Sequence, residues 1–113
     1  MERTGRCACG QITLKIAGEP VTIRQCWCRQ CQQIAAGSPT TNAIFRAEDV
    51  AVEGPLGSHA YLASSGNTLT QYFCPSCGSH IYGQSSARLH LKTVRLGAID
   101  EPHGLRPQAV IWI

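Results

Sequence analysis

The chain has 113 residues, of which 43% are hydrophobic, so we expect one domain over residues 1–113 with a small core. The formal net charge is +3 and the basic residues are scattered, which argues against a nucleic-acid-binding face. The N-terminal sequence lacks a signal-peptide pattern, and no apolar run approaches the ~20 residues of a membrane helix. We therefore expect a cytoplasmic protein with no nucleic-acid or membrane partner.

The first half of the chain is predicted to consist mostly of strands. Residues 11–17 alternate apolar with polar side chains, which is the period-two pattern of a half-buried strand. A Gly-Glu-Pro break follows, and then come a second strand, a helix of a turn or two that ends at Gly37, and two further strands. Their expected ranges are 21–26 for the second strand, 29–37 for the helix, and 41–47 and 50–54 for the two strands that follow.

The second half of the chain continues the strand pattern. Residues 54–58 have a turn-forming composition and are predicted to be a loop. Two strands, at 59–65 and 68–73, flank a hairpin connection around Gly66 and Asn67. Three more strands are expected at residues 79–84, 89–99 and 108–113. About eight short strands predict a mainly β fold with one core, and the last strand could pair between chains to form a homodimer.

Seven cysteines fall into three groups along the chain. In a reducing cytosol, clustered cysteines are more often metal ligands or catalysts than disulfides. A C-x-x-C turn brings two sulfurs onto one metal ion, and a distant pair can complete a tetrahedral, structural zinc site. The ligands expected for this site are Cys7, Cys9, Cys74 and Cys77. The alternative, a redox C-x-x-C, would open a helix in a βαβ unit, and the surrounding pattern predicts no such unit.

The remaining cysteines, Cys26, Cys28 and Cys31, can place three sulfurs around a second metal ion from one tight loop. Three protein ligands with an open fourth position are the arrangement of catalytic zinc, and the open position suits a substrate thiol. The alternative is a second structural zinc whose fourth ligand is a histidine. The candidates for that ligand are His59, His80, His90 and His103. Of these, His80 is also the candidate for acid–base chemistry.

Five segments, which together span about residues 5–112, carry a resemblance to a known family. They read "GRCACGQITLKIAGEP", "CWCRQCQQIAAGSP", "FRAEDVAVEG", "SSGNTLTQYFCPSCGSHIYG" and "LGAIDEPHGLRPQAVIW". In these segments the chain resembles the glutathione-dependent formaldehyde-activating (GFA) family. The resemblance implies a small, zinc-stabilised fold of several antiparallel sheets, related in outline to the zinc-bearing β fold of Rab guanine-nucleotide exchange factors.

The resemblance also implies an activity. The family's named reaction joins glutathione and formaldehyde to give S-(hydroxymethyl)glutathione, which is a carbon–sulfur lyase reaction run in reverse. It implies two zinc ions per chain, one structural and one catalytic. The structural ligands would be Cys7, Cys9, Cys74 and Cys77, and the catalytic ligands Cys26, Cys28 and Cys31. We therefore expect a zinc-dependent enzyme of carbon–sulfur lyase type that acts on a small thiol such as glutathione.

Two features depart from the family's pattern. Trp27 stands where the family usually has a histidine, between the first two cysteines of the triple group, and the chain ends where many relatives continue. The arginines considered as partners for the carboxylates of glutathione are Arg29, Arg46, Arg88 and Arg95. Two other functions stay open: a non-catalytic binding module with two structural zinc sites, and a metal or redox sensor that uses the triple thiolate.

Overall fold

Ten strands and three short helices form residues 2–113, the part of the chain that the computed structural model describes. The strands are β1 (Arg3–Arg6), β2 (Thr13–Ile16), β3 (Thr22–Cys26), β4 (Thr40–Arg46), β5 (Val50–Glu53), β6 (Gly57–Leu62), β7 (Thr68–Phe73), β8 (His80–Ser85), β9 (Leu91–Arg95) and β10 (Ala109–Ile111). The α-helix α1 (Arg29–Ile34) follows β3, and 3-10 helices occupy Ala47–Asp49 and Leu96–Ala98. No helix in these residues is long and apolar enough to cross a membrane.

The strands form two sheets. The smaller sheet has the order β1-β2-β5, and its neighbouring strands are antiparallel. The larger sheet has the order β10-β3-β4-β9-β8-β7-β6 and is antiparallel except for the parallel pair of β10 and β3. The prediction of a mainly β fold with several antiparallel strands is therefore confirmed. β10 is an outer strand, and its pairing between chains stays a prediction.

The hydrophobic core joins the two sheets. In β2, Leu14 and Ile16 are buried while Thr13 and Lys15 are exposed, which is the alternation that the sequence predicted. The larger sheet contributes fully buried side chains from three strands, namely Phe45, Ile81 and Val94. Burying a side chain of this size stabilises the fold by about 1.5–3 kcal/mol relative to leaving it exposed. The core thus fixes how the two sheets face each other.

The sequence does not predict β1, because residues 3–6 carry no apolar alternation. The strand forms because it pairs with β2 and lies close to the chain that follows β9. A Cβ atom on Gly5 would lie only 2.1 Å from the carbonyl oxygen of Ala98, and Gly5 forms an isolated bridge with Ile99. Only glycine allows the backbones to approach this closely. β1 therefore connects the smaller sheet to the far end of the chain.

Several predicted boundaries differ by a few residues from the observed ones, and at Gly57 the reason is a strand pairing that local composition does not show. The loop predicted at 54–58 is shorter, since Gly57 already pairs with β7, where the ring of Phe73 fills the space that a Cβ would need. The strand predicted at 89–99 ends at Arg95 and continues as a 3-10 helix. The helix predicted at 29–37 ends at Ile34.

Candidate metal centres

Four cysteines meet where the turn after β1 lies against the turn between β7 and β8. Cys7 and Cys9 come from the first turn, and Cys74 and Cys77 come from the second. Their four Sγ atoms all lie within 4.8 Å of one another. The structure thus brings together the two pairs that the sequence assigned to one site, although they are far apart along the chain. We call these residues the four-cysteine cluster.

Two glycines close the turns that carry this cluster. Gly78 has a φ of 78°, and its N–H donates to the carbonyl of Cys74 at 2.8 Å. Gly10 has a φ of 82°, and its N–H donates to the carbonyl of Cys7 at 3.1 Å. This left-handed backbone favours glycine, and it lets each turn bend around its pair of sulfurs. The N–H of Ile12 donates to Cys7 Sγ at 3.3 Å, a contact that stabilises a thiolate.

Hydrogen bonds and crowding set the proton affinities of these thiols. A hydrogen bond from the Ser79 hydroxyl, 3.2 Å from the sulfur, lowers the pKa of Cys77 to about 5. The backbone of Gln11 acts to lower the pKa of Cys9, but burial and the three neighbouring thiols raise it to about 11. Four sulfurs this close cannot all be thiolates unless a cation lies among them. The donor set therefore fits a divalent metal ion that accepts tetrahedral sulfur ligands.

The other three cysteines lie where β3 ends and α1 begins. Cys26 is the last residue of β3, Cys28 is the N-cap of α1, and Cys31 is in its first turn. Their three Sγ atoms lie within 4.8 Å of one another. The N–H of Cys31 donates to Cys28 Sγ at 3.3 Å, so the same sulfur caps the helix and belongs to the cluster. We call these residues the triple cluster, and it too could hold a metal ion.

The backbone of Trp27 holds this loop in place. Its N–H donates to the carbonyl of Ile111 in β10 at 3.0 Å, and its carbonyl accepts from Gln32 Nε2 at 2.8 Å. Both contacts use main-chain atoms of Trp27, so they do not depend on its side chain. A tryptophan at this position is therefore compatible with the loop conformation.

Burial is the largest influence on the thiols of the triple cluster. Burial raises the pKa of Cys31 to about 12, although a hydrogen bond from the Thr40 side chain acts in the opposite direction. Burial also raises the pKa of Cys26. At Cys28 burial acts the same way, but hydrogen bonds from the backbone of Cys31 and from the neighbouring thiols outweigh it, so the pKa is lowered. One buried and two half-buried sulfurs within 4.8 Å of one another are again suited to a metal cation.

The four histidines occupy other places. His59 stacks on Tyr61, and His103 Nε2 lies 2.7 Å from a carboxylate oxygen of Glu101. His90 is exposed in the turn before β9. His80 stacks on Phe73 and lines a cavity of about 570 Å³ beside the four-cysteine cluster. Within residues 2–113, no histidine nitrogen and no carboxylate oxygen joins the three sulfurs of the triple cluster.

The four candidate arginines also differ in placement. Arg46 pairs with Asp49 at 3.1 Å, while Arg29 and Arg88 are exposed. Arg95 is only 8% exposed. Burial lowers the pKa of its guanidinium, and the charges of the triple cluster and of Tyr61 act to raise it. Arg95 lies opposite Asn42 of β4, the strand whose Thr40 lies opposite Cys26, so it is the candidate that strand pairing relates to the triple cluster.

Arg95 belongs to a chain of hydrogen bonds that the sequence does not reveal. Its Nη1 donates to Asn42 Oδ1 at 2.6 Å, and its Nη2 donates to Gln71 Oε1. Gln71 Nε2 donates to the hydroxyl of Tyr61 at 3.0 Å, and Asn42 Nδ2 donates to Thr40 Oγ1 at 3.0 Å. We call these five residues the buried polar network. Polar residues at inward strand positions are its only sequence signal, and their partners depend on strand register.

Comparisons with known proteins identify the family of this chain. A family model described as glutathione-dependent formaldehyde-activating enzyme matches residues 2–113. The chain belongs to this family. A crystal structure of a Rhodobacter sphaeroides protein is similar to the GFA-family fold seen here, with a TM-score of 0.69 and 21% identity over 95% of this chain and 98% of that chain. A comparison with curated proteins gives no match.

Proposed function

We propose that the protein is a zinc-dependent enzyme of carbon–sulfur lyase type, which joins a small thiol such as glutathione to formaldehyde. The observation that carries this proposal is the triple cluster, where three sulfurs converge without a fourth protein ligand among the described residues. That is the donor arrangement of a catalytic zinc site with one open position. Membership of the GFA family supports the general reaction, and sulfur-only ligation favours zinc.

The two clusters have different roles in this proposal. The four-cysteine cluster offers four sulfurs, so a zinc ion there would be fully ligated by protein and would contribute to folding. The triple cluster would hold the second zinc ion of the chain and leave room for the substrate. When zinc is bound at the triple cluster, it supplies a cationic position that lowers the pKa of a thiol beside it.

The residues around the triple cluster orient the reaction. Cys26, Cys28 and Cys31 would hold the metal position rigidly, because β3 and the cap of α1 fix their sulfurs. As the thiol adds, its sulfur bonds to the formaldehyde carbon, the carbonyl π bond breaks, and the oxygen takes up the proton that the thiol gave up. Tyr61 accepts a hydrogen bond from Gln71, so its own hydroxyl hydrogen stays free, and we assign it a hydrogen bond to that oxygen while the thiol's proton is taken up.

The experiment that tests this proposal follows the exchange between carbon-13 formaldehyde and its hydroxymethyl adduct with glutathione by NMR. We expect the zinc-loaded protein to accelerate this exchange over a protein-free control. In Cys28→Ser, we expect the acceleration to disappear and the zinc content to fall from two ions per chain to one, since one ligand of the triple cluster is lost. Circular dichroism of this variant checks that the fold persists.

Two results would argue against the enzyme. Undiminished acceleration by Cys28→Ser would place the chemistry outside the triple cluster. No acceleration by a protein that holds both zinc ions would remove the glutathione and formaldehyde assignment. The second result would favour the alternative of a binding module with two structural metal sites.

A further inference from the structure

Arg95 of the larger sheet is a buried positive charge whose hydrogen-bond partners are all neutral. The polar residues that are buried as a whole, among the described residues, are Thr40, Asn42, Gln71 and Arg95, and all four belong to the buried polar network. Arg95 donates to two amide oxygens and, within residues 2–113, forms no ion pair with a carboxylate. Its Nε has no hydrogen-bond partner. A buried guanidinium is costly unless a negative charge compensates it, so the source of that charge matters.

The network leads from Arg95 directly to the triple cluster. Asn42 lies opposite Arg95 in the pairing of β4 with β9. Thr40 lies two residues earlier on β4, on the same face, and opposite Cys26 in the pairing of β3 with β4. Thr40 accepts a hydrogen bond from Asn42, and its side chain acts to lower the pKa of Cys31. The group at the end of the network is therefore the triple cluster, whose sulfurs become thiolates when they ligate a metal ion.

The sheet is built to let Arg95 reach its second partner. β8 lies between β9 and β7, and Gly83 of β8 lies opposite Gln71 of β7. A Cβ atom on Gly83 would lie 2.9 Å from Gln71 Oε1 and 3.5 Å from Arg95 Nη2. Because residue 83 is glycine, the guanidinium can cross over β8 and is held from both sides. Its position relative to the triple cluster is thus fixed by packing as well as by hydrogen bonds.

We propose that Arg95 is a positioning residue whose fixed charge offsets the negative charge of the triple cluster and favours an anionic fourth ligand over a neutral one. This inference rests on the metal site proposed above. Three thiolates and a divalent cation together carry a net charge of about −1, and a thiolate in the fourth position makes it about −2. A buried cation nearby stabilises the second state more than the first, whereas a neutral ligand leaves the charge unchanged.

The test uses the full chain loaded with cobalt(II), whose visible absorption reports the ligands of the site. The wild-type protein is titrated at fixed pH with 2-mercaptoethanol, which binds as a thiolate, and with imidazole, which binds neutral. We expect Arg95→Met to weaken thiol binding on the order of tenfold and to change imidazole binding less than about twofold. Arg95→Lys, which restores the charge, should recover most of the thiol affinity.

A second variant neutralises the charge without removing the arginine. Gln71→Glu keeps the hydrogen bond to Arg95 but places a carboxylate on it, so we expect the same selective loss of thiol binding. Asn67→Asp, in the hairpin between β6 and β7, adds the same charge outside the network and should leave both affinities unchanged. Gln71→Glu keeps the proposal testable even if Arg95→Met does not fold.

Three outcomes would overturn the inference, and they differ in whether the proposed metal site also fails. Equal losses for 2-mercaptoethanol and imidazole, or unchanged thiol affinity in Gln71→Glu, would show that Arg95 is merely structural while the metal site stands. A wild-type protein that takes up cobalt(II) only at the four-cysteine cluster would overturn the metal site at the triple cluster, and this inference with it.

Discussion

The hydroxyl of Ser79 contacts both turns that carry the four-cysteine cluster. Ser79 Oγ accepts a hydrogen bond from the N–H of Ala8 at 3.0 Å and lies 3.2 Å from Cys77 Sγ. It therefore joins the turn after β1 to the turn between β7 and β8, and it is the main cause of the lowered pKa of Cys77. Groups that hydrogen-bond to metal ligands orient those ligands, and their loss typically weakens metal binding by about 10- to 100-fold.

We therefore expect Ser79→Ala to weaken metal binding at the four-cysteine cluster by about tenfold, as measured by competition with a chromophoric chelator. Ser76→Ala is the matched control, because Ser76 lies in the same turn but donates to Gln11 Oε1 at 2.9 Å. Its metal affinity should stay close to that of the wild type. Equal affinities in the two variants would mean that the Ser79 hydroxyl does not act on the sulfurs.

At the scale of elements, the position of β1 depends on the absence of a side chain. A Cβ atom at Gly5 would lie 2.1 Å from the carbonyl oxygen of Ala98. Backbone atoms rather than a flexible side chain occupy that space, so the neighbouring chain cannot move aside cheaply. The close approach also sets where the turn with Cys7 and Cys9 begins, since that turn follows β1 directly.

Gly5→Ala is accordingly expected to lower the free energy of unfolding by about 3 kcal/mol or more, because a methyl group would force β1 away from Ala98. Urea unfolding of the metal-loaded protein measures this change. Gly97→Ala provides the comparison, since no atom lies within 4 Å of the Cβ position of Gly97. That variant should differ from the wild type by less than about 0.5 kcal/mol. Similar stabilities for both variants would contradict the account of β1.

Local patterns explain which elements could be predicted from the sequence. β2 was predicted because Leu14 and Ile16 alternate with polar residues, and the short helix because Gly37 marks an end signal near it. β1 has no such pattern, because residues 3–6 carry no apolar alternation and its close approach to Ala98 involves a segment far away along the chain. Cysteine spacing indicated both clusters, since thiol groups at metal-binding intervals carry their own chemical signal.

The buried polar network shows what the sequence alone could not give. Arg95 is one of four candidate arginines, and the sequence around it does not distinguish it from the other three. Its burial and its bonds to Asn42 and Gln71 depend on strand register across β4, β9, β8 and β7. The sequence likewise does not indicate why residue 83 is glycine, because the reason is its contact with Gln71 and Arg95 on neighbouring strands. Contacts between distant strands of this kind leave no periodic pattern to read.

At the scale of the whole molecule, one cysteine cluster lies between the two sheets and the other lies within the larger sheet. The four-cysteine cluster links the turn after β1, in the smaller sheet, to the turn between β7 and β8, in the larger sheet. The triple cluster lies within one part of the larger sheet, between the end of β3 and α1. A metal ion in the first cluster therefore ties the sheets together, whereas the second cluster can exchange a ligand without loosening that connection.

The central claim is that the metal in the triple cluster takes a thiol as its fourth ligand. Cadmium-113 NMR of the protein loaded with cadmium in place of zinc tests it directly, because each bound ion gives its own resonance. We expect two resonances, of which only one shifts when glutathione is added, and we expect that one to be absent from Cys28→Ser. If neither resonance responds to glutathione, or if the one that shifts persists in Cys28→Ser, the account is contradicted.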